Sequence, residues 1–544
     1  RMPEVLTVLA IDQRLSPAVA REVEGGDRVV GPSRPARRGA DLSHGRDRLE
    51  LPMMGRVWSI DAAWDLMAMS EYGTITSLSE SPVVEGLLYA GTDDGRIHVS
   101  ENGGESWRAI ERLPDVADDY FVNDIKADLH DADTVYVVVD DHKSGDFSPY
   151  IFRSTNRGGT WVNISEGLPE RHVVWRLVQD HVNPGLLFAG TEFGVFFTVD
   201  GGKKWLKLSG GAPTISFRDL AIQQRENDLV AGSFGRSIWI LDDYSPLRHV
   251  DEKELQQESL LFPVRDARWY IPSMPLGEWQ ENNKGSQGDG FFVAPNPPFG
   301  AVFTYYLKDG LKTSKETRQE SEKKTAEKGE DTPYPGWSAL RQEELEDSPA
   351  IVLTVRNSDG EVIRQVEGPV SAGIHRIAWD LRYPKSNPWT PNSDGPGWID
   401  FPGPLAEPGS YSVSIAKRVN GTVTDLGQSQ AFQVNSIVEH GLPGASPAEV
   451  VAFNMRIDEL NRQVGGAGAA AKSALTEVRA IKSTLLRSSA PAALRDDARR
   501  IELELKALAE LMRGNERRDL YGDTGPVSIS NRIQPARMGT FRST

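Results

Sequence analysis

The chain has 544 residues, of which 39% are hydrophobic and 26% charged, a composition typical of a globular protein with three or four domains. A formal net charge of −17 argues against a nucleic-acid-binding surface, and the absence of cysteine excludes disulfides, zinc–thiolate sites and cysteine nucleophiles. No apolar run is long enough to predict a transmembrane helix.

Residues 1–71 show neither the alternation of a strand nor the apolar segment of a signal peptide. Ten arginines fall within the first 56 positions, so a poorly ordered irregular segment is one interpretation and a basic interaction arm is the other. The chain begins Arg-Met-Pro, which we interpret as a fragment or a processed chain with any export signal upstream.

A repeat runs through residues 72–250. Three copies read GLLYAGTDDGRIHVS from residue 86, GLLFAGTEFGVFFT from 185 and DLVAGSFGRSIWI from 228, and a looser copy spans 133–154. Each copy follows a short alternating strand, and alignment of Leu78, Ile125, Leu177 and Leu220 gives spacings of 47, 52 and 43 residues. This spacing predicts four-stranded blades of a β-propeller.

Three of the copies continue into a turn with the pattern Ser/Thr-x-Asp/Asn-x-Gly-x-x-Trp, the Asp-box or BNR hairpin. The Asp or Asn side chain can accept hydrogen bonds from backbone N–H groups, the glycine can adopt a positive φ, and the tryptophan can pack between neighbouring sheets. The predicted structural residues are Ser100, Asn102, Gly104, Trp107, Ser154, Asn156, Gly158, Trp161, Thr198, Asp200, Gly202 and Trp205.

The fourth copy lacks such a turn, so we interpret it as the last blade before a linker. Blades need neighbours on both sides, and we therefore expect these four blades to belong to a larger ring. An open propeller edge could also pair with a second copy of the chain, which makes a homodimer a hypothesis.

The second half of the chain predicts a linker over 251–290 and a β-sandwich of immunoglobulin or fibronectin type III character over 291–440. Its hairpins are expected at Asp359-Gly360 and Asn420-Gly421, with Trp379 in the core. Residues 313–346 are almost all polar or charged, which indicates a solvated loop or insertion.

Helical periodicity begins at residue 446. The segment SPAE has the form of a capping box, and a second helix is expected from about residue 491 to 512, stopped by Gly514. We predict an antiparallel helical hairpin over 446–515 and a tail over 516–544. The whole fold is therefore predicted to be mainly β, with a partial propeller, a sandwich and a C-terminal helical hairpin.

The order of these parts resembles bacterial BNR-repeat proteins with a sortilin-type, WD40/YVTN-like propeller, which often carry the label "glycosyl hydrolase". The resemblance covers roughly residues 72–535 and implies an exported protein, secreted or periplasmic, with further blades upstream. It rests on YGTITSLSESP (72–82), LLYAGTDDGRIHVSENGGESW (87–107), LLFAGTEFGVFFTVDGGKKW (186–205), GSFGRSIWILDDYSPLR (232–248), NPPFGAVFTYYLKDG (296–310) and HRIAWDLRYP (375–384).

Hydrolysis of the xyloglucanase type needs two carboxylates that face each other across a cleft. Weak candidates are Asp93, Asp94 and Glu192, which occupy equivalent hairpins of two blades. Because a residue that recurs from blade to blade is usually a turn former, we expect structural roles for them. The Asp-box itself lies on an outer hairpin and gives no information on catalysis. The sequence lacks the Arg-Ile-Pro motif expected of a sialidase.

The nine histidines form no metal-binding spacing, and no phosphate-binding loop or nucleophile elbow is present. We predict no metal and no cofactor, although Asp140-Asp141-His142 could touch a cation. The favoured function is a module that binds a peptide, protein or glycan at the propeller face and acts as a scaffold, with no assignable reaction. The alternative is a glycoside hydrolase of the Asp-box propeller type.

Overall fold

A computed structural model describes residues 8–11, 74–110, 112–116, 120–251, 253–271, 296–384, 403–437, 444–522 and 525–543. Within these ranges the fold is mainly β, with four four-stranded antiparallel sheets, then two sheets of a sandwich, then a helical region. No helix among the described residues is long and apolar enough to cross a membrane.

The four-stranded sheets are propeller blades, and their strands follow one another along the chain. After β1 (Val8–Ile11), blade 1 contains β2 (Ile75–Glu80), β3 (Leu88–Thr92), β4 (Ile97–Ser100) and β5 (Arg108–Ile110). Blade 2 contains β6 (Phe121–Ala127), β7 (Val135–Asp141), β8 (Asp146–Ser154) and β9 (Val162–Asn163). Blade 3 contains β10 (Val174–Gln179), β11 (Leu187–Thr191), β12 (Gly194–Thr198) and β13 (Leu206–Lys207).

Blade 4 takes three strands from the fourth repeat and one from the start of the chain. The repeat supplies β14 (Phe217–Gln223), β15 (Asp228–Ser233) and β16 (Ile238–Leu241), and β1 pairs antiparallel with β16 as the outer strand. No strand was predicted within residues 1–71, because four residues alone carry no periodic signal.

Apolar side chains fill the three seams between successive blades. Tyr89 and Val137 are buried between blades 1 and 2, Leu177 between blades 2 and 3, and Phe188 and Leu229 between blades 3 and 4. Alternate residues of each second strand therefore face opposite neighbours, which explains why these strands read as almost continuous hydrophobic runs.

The side chains of the three turns predicted as Asp-boxes make local hydrogen bonds within those turns. Asn102 Oδ1 accepts from the Ser106 N–H at 3.0 Å, Asn156 Oδ1 from Thr160 at 2.8 Å, and Asp200 Oδ1 from Lys203 and Lys204 at 3.0 and 3.1 Å. Gly104, Gly158 and Gly202 have φ values of 88°, 82° and 93°. Trp205 is buried and donates to the Ile164 carbonyl at 2.7 Å, whereas Trp107 and Trp161 are partly exposed.

The sandwich consists of a three-stranded and a five-stranded sheet around a core that includes Trp379. Its strands are β17 (Ser259–Leu261), β18 (Ala267–Trp269), β19 (Ala301–Leu307), β20 (Ala350–Asn357), β21 (Val362–Gly368), β22 (Gly373–Trp379), β23 (Gly409–Val419) and β24 (Thr422–Ser436). Both β17 and β18 lie in the segment for which the sequence predicts a linker, and each pairs with a sandwich strand. The remainder of that segment, 272–290, lies outside the described residues.

The charged segment 313–346 contains two helices rather than a loop alone. These are α1 (Ser314–Glu327) and α2 (Trp337–Leu345), and neither buries a residue. A capping box between Thr313 and Glu316 starts α1, and Arg318 of α1 pairs with Glu343 of α2 at 2.7 Å. Capping and ion pairs thus support helices that have no apolar face.

The C-terminal region contains more helix than the predicted hairpin. Helices α3 (Pro447–Leu485) and α4 (Ala492–Arg513) pack together, followed by α5 (Glu516–Leu520) and α6 (Ile529–Ser543). Helix α6 contacts both α3 and α4 and buries Ile533, so the segment predicted as a tail adds a third helix to the hairpin. The predicted capping box at Ser446 and Glu449 starts α3.

Candidate functional site

Each blade has two ends with different chemistry. The first residue of each inner strand pairs with the last residue of the second strand or, in blade 2, with the residue before the last. These pairs are Ile75 with Thr92, Phe121 with Asp140, Val174 with Thr191 and Phe217 with Ser233. We call this end, with its second hairpins at 93–96, 142–145, 192–193 and 234–237, the hairpin face. The opposite end carries the Asp-boxes and is called the Asp-box face.

A β-bulge lies near the start of every inner strand, after its first residue in blades 1, 3 and 4 and after its second residue, Val122, in blade 2. The pairing register shifts at the same point in all four blades, between Ile75 and Ser77 in blade 1 and at the equivalent positions in the others. Such bulges redirect a side chain out of the regular pattern of the strand. The residues placed in this way are Thr76, Asn123, Trp175 and Arg218.

The bulge residues of blades 1 and 2 form hydrogen bonds to the next blade along the chain. Thr76 Oγ1 donates to the Val122 carbonyl at 2.7 Å, and Asn123 Nδ2 donates to the Val174 carbonyl at 2.8 Å. Each accepting carbonyl belongs to the inner strand of the following blade. These two positions therefore serve the assembly of the propeller.

The bulge residues of blades 3 and 4 interact with each other instead. The Arg218 guanidinium lies over the Trp175 ring, with its carbon 3.5 Å from the ring centroid, and 5.4 Å from the Phe234 ring centroid. The Trp175 indole N–H donates to Glu192 Oε2 at 2.9 Å, and the same oxygen is 3.8 Å from Arg218. We call Trp175, Glu192, Arg218 and Phe234 the aromatic–arginine cluster.

This cluster is oriented and still accessible. Arg218 Nε donates to Ser216 Oγ at 3.0 Å, which fixes the plane of the guanidinium group. The Arg218 side chain is 45% exposed, that of Glu192 is 34% exposed, and Phe234 is 71% exposed. Tryptophan and arginine are among the residue types that carry most binding energy at interfaces, and phenylalanine is also enriched there.

Blade 2 extends the cluster through a histidine. The His142 ring meets Trp175 edge-on with 5.8 Å between centroids, and its Nδ1 hydrogen-bonds with Asp140 Oδ1. Asp140 is 1% exposed and also accepts from the His142 backbone N–H at 3.2 Å. The buried carboxylate thus holds the imidazole against the tryptophan, and the row His142, Trp175, Arg218, Phe234 crosses three blades.

A second group of aromatic and basic side chains lies on the same face. His172 meets Phe193 edge-on at 5.2 Å, and Arg171 lies 5.7 Å from the Phe147 ring centroid. Phe193 and Phe147 are 41% and 42% exposed. The hairpin face of a strongly acidic protein therefore presents exposed rings accompanied by basic groups.

Charged residues also connect the inner strands next to the cluster. Arg176 donates to Asp124 at 3.1 Å and to Asp219 at 2.6 Å, and Asp124 accepts the Leu177 N–H at 3.0 Å. Burial raises the pKa of Asp124 above the ordinary aspartate value, although Lys126 and Arg176 oppose the shift. This network binds the strands that carry Trp175 and Arg218 to each other.

The three carboxylates singled out from the sequence occupy different environments. Asp93 is buried and accepts the Thr74 N–H at 3.0 Å, and Asp94 is buried and accepts from Thr92 Oγ1 at 2.5 Å. Asp93 therefore joins the hairpin to the start of the inner strand, and Asp94 stabilises the hairpin itself. Glu192 alone lies in the aromatic–arginine cluster, where it orients Trp175.

Sequence reasoning missed Trp175, Arg218 and Phe234. When the four repeats are aligned, one position precedes Ser77, Asp124, Arg176 and Asp219. It holds a small polar residue in the first two blades and tryptophan or arginine in the last two, and this change was the available signal. His142 was singled out from the sequence only because Asp140-Asp141-His142 could contact a cation. Within the described ranges, no three His, Asp or Glu side chains form a group that could hold a metal ion.

No family model and no curated protein matches the chain. Among solved structures it is similar to YCF48 bound to D1 peptide, with 19% identity over 29% of this chain and 48% of that one and a TM-score of 0.23. It is also similar to the GH74 enzyme of Niastella koreensis, with 12% identity over 30% and 26% and a TM-score of 0.25. A third is the Cps50 (Swd1) β-propeller domain of Myceliophteria thermophila, with 15% identity over 30% and 51% and a TM-score of 0.24.

The chain spans about half or less of the length of each of these structures, and the likeness concerns the fold alone. One of these three structures is a GH74 enzyme, and another is a β-propeller domain.

Proposed function

We propose that this chain is a binding module that holds a peptide segment of a partner protein on the hairpin face, at the row His142, Trp175, Arg218, Phe234. The observation that carries the proposal is the stacking of Arg218 on Trp175 at 3.5 Å, with Glu192 fixing the indole N–H. These groups are oriented before any ligand arrives, so little side-chain entropy is lost on binding.

The position of the row supports an extended ligand. Its members come from blades 2, 3 and 4, so an extended chain laid across the hairpins would meet an imidazole, an indole, a guanidinium and an exposed phenyl ring in succession. Aromatic rings bind apolar side chains, while the guanidinium donates hydrogen bonds to carbonyl or carboxylate oxygens. The export that the family resemblance implies is part of this proposal, and fractionation of the native cells would test it.

The experiment is selection of a displayed library of random peptides on the immobilised full chain, followed by titration calorimetry of enriched peptides. Trp175→Ala is expected to weaken binding by roughly 10- to 30-fold, the loss typical of a central interface residue. Trp337→Ala is the matched control, because Trp337 is 64% exposed and lies in α2 of the charged insertion. Equal affinity of wild type and Trp175→Ala for every enriched peptide would contradict the proposal.

The hydrolase alternative now depends on Glu192, the one candidate carboxylate that is substantially exposed. It predicts release of reducing sugar from a panel of plant, bacterial and sialylated glycans, abolished by Glu192→Gln. Turnover of this kind would replace the binding proposal. Thermal stabilisation by a glycan without turnover would keep a binding function and change the class of ligand.

A further inference from the structure

Basic and aromatic side chains also gather on the hairpin face beside the aromatic–arginine cluster. The group that we call the rim cluster consists of Phe147, Arg171, His172, Phe193 and Lys207. The Arg171 guanidinium carbon lies 5.7 Å from the Phe147 ring centroid, and the rings of His172 and Phe193 meet edge-on with centroids 5.2 Å apart. A Cβ built on Gly194 would lie 3.0 Å from Lys207 Cε, which places the lysine against the residue that follows Phe193. Two rings therefore lie among three basic groups.

The basic groups of the rim cluster are accessible and carry no carboxylate partner. Among the residues that the structure describes, no ion pair involves Arg171, His172 or Lys207. Arg171 and Lys207 are exposed, and His172 is half-buried. The chain has 78 acidic and 61 basic residues, so an unpaired basic cluster is a local reversal of its overall charge. Such a surface attracts an anionic ligand.

Local geometry holds the rim cluster in place. His172 Nδ1 lies 3.1 Å from the Glu170 carbonyl oxygen, and because a carbonyl only accepts, Nδ1 carries a hydrogen and donates it. Arg171 has a φ of 60°, a left-handed conformation that is uncommon for residues other than glycine. Backbone strain of this kind persists where the surrounding structure maintains it. The rim cluster is therefore arranged before a ligand binds.

The rim cluster and the aromatic–arginine cluster share one hairpin of blade 3. Glu192 and Phe193 are consecutive residues between β11 and β12. Glu192 accepts the Trp175 indole N–H on one side, and Phe193 meets His172 on the other. Consecutive Cα atoms are about 3.8 Å apart, so one extended ligand that contacts the first cluster can reach the second.

We propose that the rim cluster is a second subsite for the same peptide segment, and that it selects acidic peptides by binding their Asp or Glu side chains. This inference rests on the proposed function, because it extends the site that contains Trp175. Guanidinium and ammonium groups donate charge-assisted hydrogen bonds to carboxylates, while the exposed rings receive an apolar side chain next to the acidic one. The partner segment is thus one in which acidic and apolar residues alternate.

Two synthetic peptide pools test the inference on the full chain. Both contain Phe, Leu, Gly and Ser at random, and the same fixed positions hold Glu in the acidic pool and Gln in the neutral pool. In fluorescence-anisotropy titrations, the wild type is expected to bind the acidic pool roughly tenfold more tightly, the gain from a charge-assisted contact. Arg171→Gln should remove most of this preference and leave the affinity for the neutral pool unchanged.

A matched control and a charge reversal separate the subsite from the overall charge. Arg225→Gln removes the same charge from a 78% exposed arginine at the turn between β14 and β15 on the Asp-box face, and it should keep the preference. Arg171→Glu should prefer a third pool with Lys at the fixed positions, which a purely structural role of Arg171 would not produce. Equal effects of Arg225→Gln and Arg171→Gln would overturn the subsite.

The variant Trp175→Ala distinguishes failure of this inference from failure of the proposed function. It is expected to weaken binding of both pools, because the aromatic–arginine cluster contacts the apolar residues that both contain. Weaker binding of both pools by Trp175→Ala, together with equal affinity of the wild type for the two pools, would overturn the acidic subsite and retain the proposed function. Unchanged binding of both pools by Trp175→Ala, or no binding of the acidic pool by the wild type, would overturn the inference together with the site on which it rests.

Discussion

The two faces of the propeller differ in what their repeated positions do. On the Asp-box face, equivalent side chains make similar local bonds in successive blades, as Asn102, Asn156 and Asp200 do. On the hairpin face, equivalent bulge positions change from Thr76 and Asn123, which join blades, to Trp175 and Arg218, which stack and are accessible. Equivalent positions that keep the same role in successive blades are therefore structural, whereas the candidate site lies where equivalent positions change residue type and role.

The largest expected effect lies on the Asp-box face at Asp180. This carboxylate is fully buried and accepts from Arg248 Nε and Nη2 at 2.8 and 2.7 Å and from Tyr244 OH at 2.7 Å. Asp180→Ala leaves the guanidinium without its partner, and we expect a loss of about 3–5 kcal/mol in the free energy of unfolding. Urea denaturation monitored by tryptophan fluorescence measures this loss in the free energy of unfolding.

The control for this change is Asp219→Ala, which removes an aspartate of the hairpin-face network whose side chain is 65% exposed. Exposed ion pairs contribute little, so its cost should stay within about 1 kcal/mol. Similar losses for both variants would remove the energetic distinction between the two faces.

The same carboxylate gives a pH dependence with a defined sign. Burial alone would raise the pKa of Asp180, but hydrogen bonds from Arg248, Tyr244 and the Asn183 N–H lower it below the ordinary value. The stabilisation is therefore complete above the unfolded pKa of about 3.9 and is lost as the pH falls through the lower folded pKa. Wild type should exceed Asp180→Asn in stability at pH 6, and the difference should shrink below about pH 4. A difference that stays constant across this range would show that ionisation of Asp180 does not contribute.

A smaller effect is expected at the glycines of the Asp-boxes. Gly202 has a φ of 93°, and an added Cβ would lie 2.8 Å from Ile164 of the preceding blade. Gly103 also has a positive φ, of 68°, but has open space around it. Gly202→Ala should cost more than Gly103→Ala, roughly 2–3 against 1 kcal/mol, because only the former adds a clash to backbone strain. Thermal unfolding of the two variants gives the comparison, and equal shifts would mean that the contact between blades relaxes freely.

The blade repeat was predictable from the sequence because it is local. Glycine, an amide or carboxylate, and tryptophan at fixed spacing determine each predicted Asp-box turn, and alternation of apolar and polar residues determines the strands beside it. The aromatic–arginine cluster was not predictable in the same way, since its members at 142, 175, 192, 218 and 234 meet only when three blades pack together.

Helices α1 and α6 were not predicted from the sequence, for two different physical reasons. Helix α1 has no apolar face to detect and depends on a capping box and on the pair between Arg318 and Glu343. Helix α6 contains Pro535, which weakens its signal in the sequence, yet packing against α3 and α4 retains it. In α1 a local cap and one ion pair are sufficient, whereas in α6 packing against other helices outweighs the local preference.

The smallest expected change in stability belongs to Arg218→Gln. The guanidinium is 45% exposed, and an exposed cation–π contact is worth roughly 0.5–1 kcal/mol, so the free energy of unfolding should fall by no more than that. Affinity for a peptide selected on the hairpin face should fall about tenfold, because glutamine neither stacks as a cation nor offers the planar donor fork. Measuring both quantities on one preparation separates the two roles of the position. A stability loss as large as that of Asp180→Ala, with unchanged affinity, would make Arg218 a structural residue and the stacked pair another way of joining blades.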